Sequence, residues 1–287
     1  MTQIIACIDH SPLAHSVCDY AIWASQRLAA PLHFLHVLDQ GRYPAPRDYT
    51  GAIGLGSREH LLDELADLDA KRIGVARIQG QDLLDAAKER ARAAGVAESH
   101  CRQRHGDLVE SVVALEDDTR LLVMGREGEG AQQDGDSARS HIGSHIETLV
   151  RSLHKPILVI PTDFVRPERF LIAFDGSETS RKTVEMIAAS PLLTGLTCHI
   201  LMLGAATPEA QAALGWAQTQ LQQAGYKPVV KLMSGVLGDM LPVYCVAEQI
   251  ELVAMGAYGH SRVRQFFVGS NTSHLLRRMN IPLLLLR

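Results

Sequence analysis

Four stretches from the first half of this chain return, in the same order, in its second half. "IIACIDHSPLAHSVCDYAIWAS" (4–25) matches "FLIAFDGSETSRKTVEMIAAS" (170–190), and "PLHFLHVL" (31–38) matches "LTCHILML" (196–203). "RLLVMGREG" (120–128) then matches "ELVAMGAYG" (251–259), and "HKPILVIP" (154–161) matches "NIPLLLLR" (280–287). A duplication of this length restricts the fold to two like units in tandem. The break falls at about residues 161–169, where Pro161 and Pro167 stand. The boundaries expected from it are 1–162 and 168–287.

Within each half, short apolar runs alternate with amphipathic stretches. The runs at 3–8, 32–38, 97–103, 120–124 and 157–160 read as strands, as do 169–174, 197–203, 228–233, 251–255 and 283–286. Nearly continuous apolar strands are those buried on both faces of a parallel sheet. The expected class is therefore α/β: two tandem domains, each a five-stranded parallel sheet flanked by helices in Rossmann-like layering. Residues 57–95 are richly helical, with an interruption expected near Gly74–Gly80, and the matching stretch 207–225 is about half as long. Pro242 is expected in the first turn of its helix. Residues 40–56, rich in Gly and Pro, read as a mobile loop.

Composition removes several function classes. The chain has 287 residues, 46% hydrophobic and 21% charged, with a formal net charge of −4. That balance leaves no global basic footprint for nucleic acid. No run approaches the ~18 uninterrupted apolar residues a membrane helix needs. The N-terminus lacks the basic and apolar regions of a secretory signal. The five cysteines are scattered and odd in number, which suits buried thiols in a reducing compartment. A cytoplasmic location is expected. The paired His141 and His145 lack a third ligand type at metal-binding spacing.

The chemistry gathers near the end of the chain, in "GAYGHSRVRQFFVGSNTSHLLRR" (256–278). Asp175 ends the first strand of the second half, Gly256 ends the fourth, and Ser270 opens the last helix. All three belong at the carboxyl edge of the sheet, where α/β proteins collect ligands. Gly269 would admit a close backbone approach. The amides of Ser270, Asn271 and Thr272, backed by the helix dipole, would favour phosphate. Gly256 and Gly259 would bend the chain beneath a sugar or phosphate, and Asp175 would accept from a ribose hydroxyl or an adenine amine. The alternative is plainer: Ser270 caps a helix and the glycines only make turns.

These residues resemble the universal stress protein family. The carrying segments are "FDGSETS" (174–180), "MGAYGHSRVRQFFVGSNT" (255–272) and the closing "IPLLLLR". The resemblance covers nearly all of both halves and implies the adenine nucleotide alpha hydrolase-like fold. The spacing Gly-x2-Gly-x9-Gly-Ser marks the family's ATP-binding members. By that resemblance, Asp175 and the backbone near Leu203 would face adenine and ribose, and Met255 and Gly256 would lie against the ribose. Gly259, Gly269, Ser270 and Asn271 would hold the phosphates, with a divalent cation such as Mg²⁺ or Mn²⁺. The family also pairs domains through its last strand, so "PILVI" and "PLLLL" would pair inside one chain as a pseudo-dimer. A homodimer of such tandem chains is a further expectation, and neither nucleic acid nor membrane is expected as a partner.

The first half departs from the pattern. Asp9 and Val37 occupy the family positions, and Gly125 and Gly128 are present. Fourteen residues, not nine, then precede Gly143 and Ser144. The longer, partly acidic loop could close over a nucleotide or repel one, so the second half is expected to hold the stronger site. The expected function is a nucleotide-dependent sensor or scaffold in stress response. A slow ATPase or other nucleotide-using enzyme, or a scaffold for a lipid or other metabolite, are the alternatives. No Walker lysine stands by the glycines, and no nucleophile is paired with a base.

Overall fold

The computed structural model of the chain describes residues 2–39, 57–128, 144–257, 275 and 279–287. The first half runs β1 (Gln3–Cys7), α1 (Ala14–Leu28), β2 (Leu32–Asp39), α2 (Ser57–Ala93), β3 (Ser99–Gly106), α3 (Leu108–Val113), β4 (Thr119–Gly125), α4 (Ser144–Ser152) and β5 (Ile157–Ile160). The second runs β6 (Arg169–Ala173), α5 (Glu178–Ala189), β7 (Thr197–Leu203), α6 (Pro208–Gln223), β8 (Val229–Met233), α7 (Leu237–Ala247), β9 (Leu252–Gly256) and β10 (Leu283–Leu286). Helix starts carry the expected side chains. Ser177 accepts from the Ser180 amide at 3.2 Å, and Thr207 from the Ala210 amide at 3.2 Å with Pro208 beside it.

The strands form one ten-stranded sheet in the order β3-β2-β1-β4-β5-β10-β9-β6-β7-β8. Pairing is parallel within each half, and β5 meets β10 antiparallel, with Leu158 opposite Leu284. The pairing expected between "PILVI" and "PLLLL" is this seam. Alternate strand residues feed two apolar layers that run through both halves. Ile4, Ala6, Ile172 and Leu284 join residues of α1, α2, α5 and α6 on one face. Ile5, Leu171, Leu283 and Leu285 join residues of α3, α4 and α7 on the other.

Side chains reinforce the seam from both directions. Arg126 Nη1 donates to the Met279 carbonyl at 2.8 Å, and Arg287 Nη1 donates to the carbonyls of Arg151 and Leu153. Tyr20 Oη donates to the Val165 carbonyl at 3.0 Å, and its ring meets Phe164 edge-on at 4.7 Å, which fastens the linker to α1.

Three expectations change. The helix over 57–95 has no interruption: α2 is one helix of 37 residues. Gly80 faces the sheet, where an added Cβ would lie 2.5 Å from His36 Cδ2 and 2.1 Å from Gln103 Nε2. That glycine marks a close approach of helix to sheet, not a break. Pro242 stands in the second turn of α7, which begins at Leu237. There it has no N–H to give the carbonyl four residues back. β3 reaches Gly106, beyond the expected 103, because its pairing with β2 continues to Asp39. Arg102, Gln103, Arg104 and His105 are polar because this strand is an outer edge of the sheet, so an apolar criterion ends it early. The loop expected at 40–56 lies outside the described residues.

Candidate nucleotide site

In each half the strand order reverses at one point. β1 is followed by β2 and β3 on one side while β4 lies on its other side, and β6 repeats this with β7, β8 and β9. The helices leaving such neighbouring strands go to opposite faces, and a crevice opens at the carboxyl ends between them. The registers show the two crevices to be equivalent. Cys7 pairs with Met124 as Ala173 pairs with Met255, so Asp9 corresponds to Asp175 and Gly125 to Gly256.

In the second half, Asp175 follows β6 and its Oδ1 accepts from the Ser177 amide at 3.0 Å. That bond fixes the carboxylate at the mouth, and a carboxylate retains capacity to accept more. Arg181 Nε donates to the Gly176 carbonyl at 3.1 Å and tightens the same turn. The Arg181 guanidinium lies over Trp216, 4.6 Å from the ring centre, and Trp216 stacks on Phe174. Sequence reasoning missed this brace. The pattern Asp-Gly-Ser followed by an arginine five residues after the glycine was its only signal.

Gly256 closes the other side. A Cβ there would meet Thr179 Cγ2 at 2.7 Å and the Thr179 carbonyl carbon and oxygen at 3.3 Å. The first turn of α5 therefore rests directly on the end of β9. Next along the chain, the Ala257 amide donates to the Leu286 carbonyl at 2.7 Å, which ties the exit of β9 to the seam strand. Met255 is fully buried in the apolar layer, so only its backbone lines the crevice. Leu203, half-buried, lies at the end of β7 opposite Met233. Asp175, Leu203, Met255 and Gly256 thus share one sheet edge. Gly259, Gly269, Ser270 and Asn271 lie outside the described residues.

In the first half, Asp9 Oδ1 accepts from the Ser11 amide at 3.0 Å. A Cβ on Gly128 would sit 3.1 Å from Asp9 Oδ2, and one on Gly125 would meet Leu13 at 3.4 Å. Asp9, Gly125 and Gly128 are therefore brought together, with half-buried Val37 at the neighbouring strand end. Ser144 opens α4 and Gly143 lies outside the described residues. Among the described residues no group of three His, Cys, Asp or Glu is placed to hold a metal. The five cysteines are free, and burial pushes the Cys7, Cys18, Cys198 and Cys245 thiols up to about 12, so they are inert at neutral pH. No helix among the described residues is long and apolar enough to cross a membrane.

Comparison with known proteins agrees with the duplicated architecture. The model of the universal stress protein family matches residues 1–161 and 167–287. A universal stress protein from Synechocystis sp., Slr1230, is 33% identical over 291 residues, which spans the whole of both chains. Among solved structures, a universal stress protein from Archaeoglobus fulgidus is 17% identical with a TM-score of 0.70, covering 99% of this chain and 96% of its own. One described as a putative universal stress protein, from Pseudomonas aeruginosa, is 14% identical with a TM-score of 0.61, covering 100% and 93%. These two likenesses are of fold. Two tandem matches and a full-length relative place the chain in the universal stress protein family.

Proposed function

We propose that this protein binds ATP, or a related adenine nucleotide, in the crevice between β6 and β9, and that occupancy of this site is the signal it carries in a stress response. The observation that carries the reading is the placement of Asp175 and Gly256 on either side of the strand-order reversal. The sequence then continues from Gly256 through the spacing Gly-x2-Gly-x9-Gly-Ser. Asp175 would accept from ribose or adenine. The backbone at Leu203, Met255 and Gly256 would lie along the nucleoside, and Gly259, Gly269, Ser270 and Asn271 would receive the phosphates. The carboxylates among the described residues form no cage of their own, so Mg²⁺ or Mn²⁺ would arrive already bound to the phosphates. The first-half crevice, with Asp9, Val37, Gly125, Gly128, Gly143 and Ser144, would be the weaker site because of its longer loop.

Calorimetric titration with ATP and Mg²⁺ tests this. Gly269→Val is expected to weaken the tight phase by at least about tenfold, equivalent to about 1.4 kcal/mol, while Gly143→Val leaves it in place. Unchanged affinity in Gly269→Val would overturn the assignment. Phosphate release measured in the same samples separates a sensor from an ATPase.

A further inference from the structure

The antiparallel pairing of β5 with β10 relates the two halves by an approximate two-fold axis. On the face that carries α1 and α5, a cleft beside the seam therefore has a counterpart across it. The registers match the positions. Ile4 pairs with Leu121 as Phe170 pairs with Leu252, so Arg120 corresponds to Glu251. Val123 pairs with Leu158 as Ala254 pairs with Leu284, so Leu158 and Ile160 correspond to Leu284 and Leu286. Counting on from Asp9 and Asp175, Tyr20 of α1 corresponds to Met186 of α5. The burial of Val17, Cys18 and Ala21 repeats at Thr183, Val184 and Ile187.

The two clefts differ in what they hold. Beside Tyr20 the linker lies across the cleft. Phe164 meets the Tyr20 ring, Tyr20 Oη donates to the Val165 carbonyl, and Glu251 Oε2 accepts from the amides of Glu168 and Arg169 at 2.6 and 2.9 Å. One linker cannot serve both clefts. Beside Met186 there is instead a cavity of about 80 Å³, several times the ~10–15 Å³ that a single water needs. Its walls include Leu121, Ile187, Leu193, Leu284 and Leu286, all buried.

The charge at the matched position is reversed. Where Glu251 accepts the linker's amides, the cavity is lined by Arg120. Arg120 Nη1 donates to the Leu28 carbonyl at 3.0 Å, which uses one of the five donors of a guanidinium. Arg27, beside Leu28, donates from Nε to the Leu192 carbonyl at 2.9 Å, so a second cation stands close by. None of the residues lining the cavity is acidic. An occupant that suits these walls has an apolar body and an anionic end.

We propose that this cavity binds a short aliphatic carboxylate, with its chain between Ile187 and Leu284 and its carboxylate on Arg120. A carboxylate matches the guanidinium fork with charge-assisted bonds, an alcohol supplies no charge, and an amine is repelled. The site does not depend on the nucleotide reading.

Ligand-observed nuclear magnetic resonance titrations of the full-length chain test this. Butanoate, pentanoate and hexanoate are expected to saturate one site in the millimolar range, tightening about fourfold with each added methylene. Hexanol and hexylamine should bind about tenfold more weakly than hexanoate, or less. Arg120→Gln should reduce hexanoate to the level of hexanol, and Arg120→Glu should reverse the preference toward hexylamine. Met186→Trp should fill the cavity and remove binding of all three. Each variant should keep the circular dichroism of the parent. Absence of saturable hexanoate binding overturns the proposal, as does an affinity indifferent to chain length. Hexanol binding as tightly as hexanoate, or binding unmoved by both Arg120→Gln and Met186→Trp, overturns it too.

Discussion

Thr179 dictates that position 256 be glycine. Gly256→Ala would push a methyl carbon to 2.7 Å from Thr179 Cγ2 and 3.3 Å from its backbone, and overpacking of this kind costs about 1–3 kcal/mol. Urea denaturation should show that loss. Adding Thr179→Ser, which removes Cγ2, should recover part of it, leaving the share due to the backbone contact. A second residue-scale expectation concerns His199, whose Nδ1 lies 2.9 Å from Tyr244 Oη in the apolar layer. Burial, aided by Arg169 and Lys231 and opposed by Glu248, holds its pKa below the ordinary 6.5. The unfolded chain therefore takes up a proton that the folded one resists, and stability falls as pH drops below about 6.5. His199→Leu should flatten that decline in urea midpoints measured from pH 8 to 5. Parallel profiles for the two proteins would contradict it. His33, lowered chiefly by burial and then by His100, Arg102 and Arg104, should keep the flattening incomplete.

Helix α2 shows how two glycines of similar appearance differ once packed. Nothing lies within 4 Å of a Cβ added to Gly74, whereas Gly80 abuts His36, which is itself buried with Nδ1 2.9 Å from the Ile8 carbonyl. Gly74→Ala should therefore raise stability by about 0.5–1 kcal/mol through helix propensity. Gly80→Ala should lower it by about 1–3 kcal/mol, since the histidine has little room to yield. Thermal melts of the two single variants should move in opposite directions. The same pair explains where sequence reading stopped short. Strands such as β9, and β4 from Leu121 onward, were legible because burial on both faces leaves only apolar residues there. The helix over 57–93 was legible in kind, but two glycines look like a break when what lies opposite each is unknown. The candidate site divided in the same way. Asp175 and Gly256 were legible from the repeat and the strand ends, whereas the bracing by Thr179, Arg181 and Trp216 depends on contacts between elements distant in the chain.

At the scale of the whole molecule, the seam between β5 and β10 decides whether the halves behave as one body. Leu158 and Leu284 face each other across it and are 0% and 2% exposed. Leu158→Ala should cost about 2–5 kcal/mol. The variant should still unfold in a single transition, seen at one midpoint by both near- and far-ultraviolet circular dichroism, because both apolar layers cross the seam. Two separated transitions would show that the halves unfold independently. The seam has a further consequence for what can vary. In an association of two separate identical chains, any substitution appears twice, once at each site. Here β5 and β10 meet within one chain, so a change near Gly143 has no copy near Gly269. Covalent continuity releases the molecule from its own symmetry, and one crevice can acquire a fourteen-residue spacing while the other keeps nine.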